Sequence, residues 1–207
     1  MLRASLTSTS DTKVQHISNL LGFWAAHLNI LVLCGVLIGA FVVQFGQGEF
    51  PCPLCILQRM AMMLCALGPA YVIMKAREGE AKTSDFATGY GISVIAAVAG
   101  ASISIRQILL HIVPPDPGYG DPVLGLHLYT WALLVFVAEI LAAGVNLVFA
   151  RELEPRKAGF GWPSWLVLGL FGVVIIANAV AVFALEGLHW TLPDDPNSYR
   201  LFDLLRG

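Results

Sequence analysis

The chain has 207 residues, 57% of them hydrophobic and 13% charged, with a formal net charge of −2 and a mean hydropathy of +0.74. An ordinary soluble domain carries about a quarter charged residues, so this composition excludes one and makes a lipid bilayer the solvent for most of the chain. No basic patch with interleaved aromatics appears, and nucleic-acid binding is set aside.

Taken in chain order, residues 1–19 are polar and precede the first of five apolar stretches, 20–45, 55–74, 86–113, 128–149 and 163–185. Each reaches the length of about 20 residues that a helix needs to cross the hydrocarbon core. In lipid every backbone polar group needs an internal partner, so the spans are helices and the fold class is an all-α membrane bundle. The first span is too long for a signal-peptide core and no small-residue cleavage site follows it, so it reads as a retained helix. His27 and Asn29 within it read as polar helix contacts. The second span starts near Cys52-Pro53-Leu54-Cys55, and Pro69 kinks it or leaves a carbonyl for a neighbour to satisfy. The third is rich in small residues (Gly89, Gly91, Ala96, Ala97, Ala99, Gly100, Ala101, Ser102) and is expected to be the central, buried helix. The loop Val113-Pro114-Pro115-Asp116-Pro117-Gly118-Tyr119-Gly120-Asp121-Pro122 is turn-forming throughout and reads as a stiff cap. Short connections predict that consecutive helices pack antiparallel. After the fifth span, Tyr199, Leu201, Phe202, Leu204 and Leu205 suggest a short helix on the membrane surface. Trp24, Trp131, Trp162, Trp165 and Trp190 lie near span ends, where interfacial anchors belong.

Lysine and arginine counts set the orientation. Arg3 and Lys13 precede span one, Lys75, Arg77 and Lys82 separate spans two and three, and Arg151, Arg156 and Lys157 separate spans four and five. The opposite side carries only Arg200 and Arg206 outside the spans. The positive-inside rule then places the N-terminus in the cytoplasm, the C-terminus outside, and the C-x-x-C pair on the outer face. That is the side on which disulfides form and persist.

The chemistry-bearing residues gather there. A cysteine pair at a helix mouth can cycle between dithiol and disulfide, and the helix N-terminus favours a thiolate. Cys52 is expected to be the more exposed sulfur, with Cys55 facing the bundle. The bland alternative is a disulfide that only ties the helix end, or two inert thiols. Zinc is a poor fit, because no second Cys or His pair stands at ligand spacing. Arg59 follows Cys55 by four and shares its helix face. It lies seven residues below Cys52, roughly 10 Å deep at 1.5 Å per residue, and Arg106 lies seven residues before Val113 at the same side. A membrane-embedded charge marks a functional site or a pair by default, against the alternative of snorkelling to the headgroups. Glu139, the one carboxylate deep in a span, is a candidate counter-ion. Cys34 and Cys65 fall at similar depth and read as buried free thiols. His111, His127 and His189, with Asp116, Asp121 and Tyr119, show no recognised ligand spacing. Capping is their default role, with a proton relay as the sharper alternative.

The segment Cys52-x-x-Cys55-x-x-x-Arg59 at the start of the second helix resembles the DsbB family of membrane thiol–quinone oxidoreductases. Arg106-Gln107 near the end of the third helix, the proline-rich loop and Trp131 entering the fourth add to the resemblance, which spans about residues 20–149. It implies a bacterial inner-membrane enzyme supporting disulfide formation in periplasmic proteins, with a periplasmic thioredoxin-like (DsbA-like) partner and a bound quinone, ubiquinone or menaquinone. It implies catalytic Cys52 and Cys55, Cys55 against the quinone ring and Cys52 exchanging with incoming disulfides. Arg59 is implied at the quinone carbonyl, with Arg106, Gln58 and Gln107 helping to hold the cofactor.

The chain departs from the family pattern in one respect. Members carry a second cysteine pair in the loop between spans three and four, and residues 114–127 contain none. A partner thiol then attacks the Cys52–Cys55 disulfide directly, another membrane protein supplies the missing pair, or the chain is an inactive scaffold of another complex. The expected organisation is a cytoplasmic segment 1–19, a four-helix core 20–149, a cytoplasmic loop and fifth helix 150–185, and a periplasmic tail 186–207.

Overall fold

The computed structural model describes residues 2–79, 81–153, 155, 161–188 and 193–206, without the side chains of 2–14, 16 and 204–206. Arg156, Lys157, His189 and Trp190 lie outside the described residues, and so do the side chains of Arg3, Lys13, Leu204, Leu205 and Arg206. Among the described residues the chain is all-helical: α1 (Leu2–Gly46), α2 (Pro53–Glu78), α3 (Thr83–Leu110), α4 (Leu128–Val148), α5 (Ala150–Leu153), α6 (Trp162–Glu186) and α7 (Arg200–Arg206). Five are long and apolar enough to cross a membrane: Ile17–Gly46 of α1, then α2, α3, α4 and α6. The polar residues ahead of the first span continue the same helix.

Local chemistry explains how α2 begins and ends. Cys52 is its N-cap in an extended conformation, with Pro53 in the first turn, where its missing N–H costs nothing. Gly79 closes the helix with φ 75°, the left-handed conformation that a residue with a Cβ avoids. Pro69 inside α2 frees the carbonyl of Cys65, and Ser93 Oγ of α3 donates to that oxygen at 2.7 Å.

Small residues set the helix crossings. Gly68 of α2 faces Gly89 of α3, and a Cβ on either would collide with the carbonyl oxygen of the other. Gly100 of α3 receives the Phe136 ring of α4 in the same way. Close backbone approach is thus achieved as small residues permit in lipid. The centre of the bundle, however, is α2 and not α3. Of its most apolar stretch, 56% is buried, against 39% for α3. The reason is its neighbours: α2 packs against α1 and α3 and also meets α4 and α6, whereas α3 packs chiefly between α2 and α4.

Among the five spans, consecutive packing holds from α1 to α4, and the fifth, α6, breaks it. α6 packs on α1 and α2 without extensive contact to α4. His27 of α1 sits in that interface, its Nε2 2.9 Å from Ser164 Oγ of α6 and its Nδ1 2.8 Å from Phe23 O. Asn29 Nδ2 donates to Glu139 Oε2 at 2.8 Å and ties α1 to α4. Glu139 is therefore no counter-ion for an arginine; its partner is a neutral amide. Cys34 and Cys65 are fully buried free thiols. α7 packs back onto α6, so the tail joins the bundle at the cysteine end.

Candidate thiol redox site

The two sulfurs at the head of α2 lie 2.8 Å apart as free cysteines, and Cys52 Sγ accepts the Cys55 N–H at 3.2 Å. A disulfide needs the sulfurs to close by less than about 1 Å, since the bond is near 2.05 Å. The expected order of exposure is reversed: Cys52 is 5% exposed, while Cys55 is partly open and lines a cavity. The cause is the 111–127 connection, which is strapped across the residues ahead of Cys52. Tyr119 OH donates to Phe50 O at 2.7 Å, and Asp121 N–H donates to Glu49 Oε1 at 2.6 Å. Donation to the Cys55 sulfur, and then burial, push the Cys52 thiol above the ordinary cysteine range, while the Cys55 amide at the helix terminus acts in the opposite direction.

Two buried amides hold the pair. Gln107 Nε2 of α3 points at both sulfurs, 3.3 Å from Cys52 Sγ and 3.5 Å from Cys55 Sγ. Its Oε1 accepts from Gln58 Nε2 of α2 at 2.9 Å. That carbonyl has a second lone pair and also lies 3.9 Å from Cys55 Sγ, so Gln107 offers the sulfur pair both its NH2 and an acceptor.

Arg59 reaches inward from the same face of α2. Its Nη1 donates to Gln44 Oε1 at 2.6 Å, its Nη2 to Ala40 O at 3.2 Å, and its guanidinium lies 5.4 Å from the Phe41 ring centroid. Among the described residues no carboxylate pairs with it. The charge is thus held by neutral acceptors and an aromatic face. Arg106, by contrast, lies on the exposed face of α3, away from the cavity and without a hydrogen bond or ion pair to the described residues. Of the six residues singled out in the sequence, the structure brings Cys52, Cys55, Gln58, Arg59 and Gln107 together and leaves Arg106 apart.

The cavity has a volume of about 370 Å³ and lies between α1, α2 and α4. Val36, Gly39, Ala40 and Val43 form its α1 wall, and Leu128, Trp131, Ala132 and Val135 its α4 wall. Gln44, Cys55, Gln58 and Arg59 supply the polar edge, and Phe50, Tyr119, Val123 and Leu124 close the end nearest the loop. Trp131 Nε1 donates to Val123 O at 2.9 Å, fixing the loop to the head of α4.

The histidines of this loop cap and stack. His111 Nδ1 is 3.0 Å from Asp116 Oδ2, and His127 Nδ1 is 3.0 Å from Gly120 O. Their rings flank Tyr129 at 5.8 and 5.2 Å. Among the described residues no three His, Cys, Asp or Glu side chains converge as a metal site.

Sequence reasoning missed Gln44 and Tyr199. Gln44 carried a signal, as a lone amide near the end of an apolar run, the same argument that drew attention to Arg59. Tyr199 carried none, since its position follows from how the tail folds back.

Comparison with known proteins bears on this arrangement. The profile of the family described as Disulfide bond formation protein DsbB matches residues 23–120, which include the cysteine pair, Arg59 and Gln107. The chain is 32% identical over 163 residues to Disulfide bond formation protein B of Chromobacterium violaceum, covering 77% of this chain and 91% of that protein. It is 30% identical over 149 residues to the protein of the same name from Chromohalobacter salexigens, covering 70% and 82% respectively. A third relative of that name, from Stutzerimonas stutzeri, is 31% identical over 140 residues, covering 66% and 80%. No solved structure matches. With identity of this level across nine-tenths of a relative, and with the paired cysteines inside the matched segment, the chain belongs to the DsbB family.

Proposed function

We propose that this membrane protein oxidises the thiols of a thioredoxin-like protein outside the cytoplasm and delivers the electrons to a quinone held in the α1–α2–α4 cavity. The observation that carries the reading is the placement of Cys55: it touches Cys52 on one side and lines the Arg59 cavity on the other. The charge census supports an orientation with this end facing the periplasm, where disulfides persist.

The cavity fits such a cofactor. Its walls are apolar, with Gly39 and Ala40 leaving room for a flat ring, and its polar edge offers a guanidinium donor to a carbonyl oxygen beside a sulfur. When bound, a quinone supplies the sink for two electrons and two protons. The protein residues do the rest. A partner thiolate attacks the Cys52–Cys55 disulfide, one sulfur leaves as thiolate, and the partner's second thiol completes its own disulfide. The Cys52–Cys55 dithiol that remains holds the two electrons. Gln107 keeps the sulfurs adjacent for reclosure, and Arg59 places positive charge where negative charge develops on transfer. Because Cys52 is covered, the partner's approach requires the loop to lift and the Tyr119–Phe50 and Asp121–Glu49 hydrogen bonds to break.

Purified protein given a reduced thioredoxin-like substrate and a quinone should reduce the quinone in a manner that needs both cysteines. Undiminished turnover in the Cys52→Ser, Cys55→Ser double variant would sink the proposal. One observation favours a second reading, a scaffold role: the loop over Cys52 has no cysteine to relay electrons. A stoichiometric membrane partner, with no phenotype from the cysteine variants, is the outcome that reading expects.

A further inference from the structure

The C-terminal segment lies outside the residues that the family profile matches, yet one of its side chains reaches the polar edge of the cavity. Tyr199 OH accepts a hydrogen bond from Gln44 Nε2 at 3.1 Å, and the same amide's Oε1 receives Arg59 Nη1 at 2.6 Å. Gln44 is 3% exposed, so these two contacts take up both ends of a buried amide. The tyrosine is itself held by three rings. Phe45 stacks on it at 6.3 Å with planes 13° apart, and Phe50 and Phe202 meet it edge-on at 5.1 and 6.1 Å. Ser198 Oγ, bonded to Asp203 Oδ2 at 2.6 Å, fixes the turn that presents it.

We propose that Tyr199 is a positioning residue of the quinone pocket, acting through Gln44 on the Arg59 guanidinium. The inference rests on the reading of the cavity as a quinone site. The physical argument is one of lost freedom. An arginine without a carboxylate partner has no charge attraction to fix its direction, so its aim depends on neutral acceptors that must themselves be held. Ala40 O is fixed by the α1 backbone. Gln44 is a flexible side chain, and Tyr199 is what immobilises its far end. Removing the hydroxyl leaves the Gln44 N–H groups buried and unsatisfied, which favours rotation of the amide away from Arg59. The segment beyond the fifth span is therefore part of the site and no passive tail.

The test is binding of a short-chain benzoquinone, read by quenching of tryptophan fluorescence, since Trp131 lines the cavity. Tyr199→Phe keeps the ring contacts and should weaken binding about tenfold, the worth of one buried hydrogen bond. Gln44→Leu should weaken it by at least as much, and adding Tyr199→Phe to Gln44→Leu should change it by less than about twofold. Arg59→Met separates the two claims. If Arg59→Met weakens binding and Tyr199→Phe does not, this inference fails and the quinone reading stands. If Arg59→Met has no effect, both fail. A full Tyr199→Phe effect in the Gln44→Leu background would also overturn the inference, because Tyr199 would then act by another route.

Discussion

Arg59 and Arg106 enter the bundle from the same end, each within two turns of a helix terminus, yet they end in opposite surroundings. Arg59 turns inward to Gln44, Ala40 and the Phe41 ring, beside Cys55. Arg106 faces out, and the inward place on α3 is taken by its neighbour Gln107, 1% exposed. One residue along a helix is about 100° of rotation, enough to exchange a cavity for the lipid side. Equal depth therefore does not bring two charges to one site; the face each occupies and the acceptors waiting there decide where it points.

The comparison can be broken experimentally. The largest expected effect is at Arg59: Arg59→Met should slow quinone reduction by the prereduced protein about 100-fold, as loss of a preorganised electrostatic donor does. A matching loss in Arg106→Met would erase the distinction. Gln107→Leu, which removes the N–H groups aimed at both sulfurs but keeps most of the volume, should slow oxidation of the pair about tenfold. That effect should show in single-turnover thiol oxidation, with quinone affinity unchanged. Arg106→Met itself should alter either rate by less than about twofold, in line with surface substitutions generally.

The smallest effect concerns the loop that covers Cys52. Asp116 accepts from the Gly118 N–H and from His111, and these contacts hold its carboxyl below the ordinary value of 3.8. A depressed folded-state pKa means that the loop's stabilisation is complete above that ordinary value. It is lost as pH falls from there through the lower folded value. Hydrogen exchange at the Gly118 amide should accelerate across that acid range relative to its intrinsic rate, and Asp116→Asn should flatten the dependence.

How much of this was legible in the sequence depends on the range of each interaction. The spans, the Pro53 start of α2 and the small-residue character of α3 at Gly89 and Gly100 follow from local composition, and the bundle follows from them. Cys55 and Arg59 share a face by helix arithmetic alone. The central place of α2 was not legible, because α6 returns to α1 rather than lying beside α4, and no local pattern records which neighbour a fifth helix selects. The burial of Cys52 is hidden from the sequence for a related reason. The strap that buries it is made by Tyr119 and Asp121, about 70 residues away. On charge alone Glu139 reads as a candidate counter-ion, whereas packing gives it Asn29, an amide from a helix 110 residues distant in sequence. One of its oxygens, the Tyr90 and Ser104 hydroxyls and Asn29 Oδ1 are buried without a partner among the described residues. At the cysteine end the amides of Gln44, Gln58 and Gln107 are all engaged. A site committed to one geometry at one end of a bundle is thus set against a looser polar contact at mid-depth.

The most direct measurement of the central claim is an anaerobic single turnover. Fully reduced protein is mixed with one equivalent of quinone, and the state of each cysteine is mapped by alkylation and peptide mass. The account predicts one quinol formed per molecule, with Cys52 and Cys55 joined and Cys34 and Cys65 still reduced. Quinol formation with Cys52 and Cys55 left as thiols, or no quinol at all from protein that binds the quinone, would contradict it.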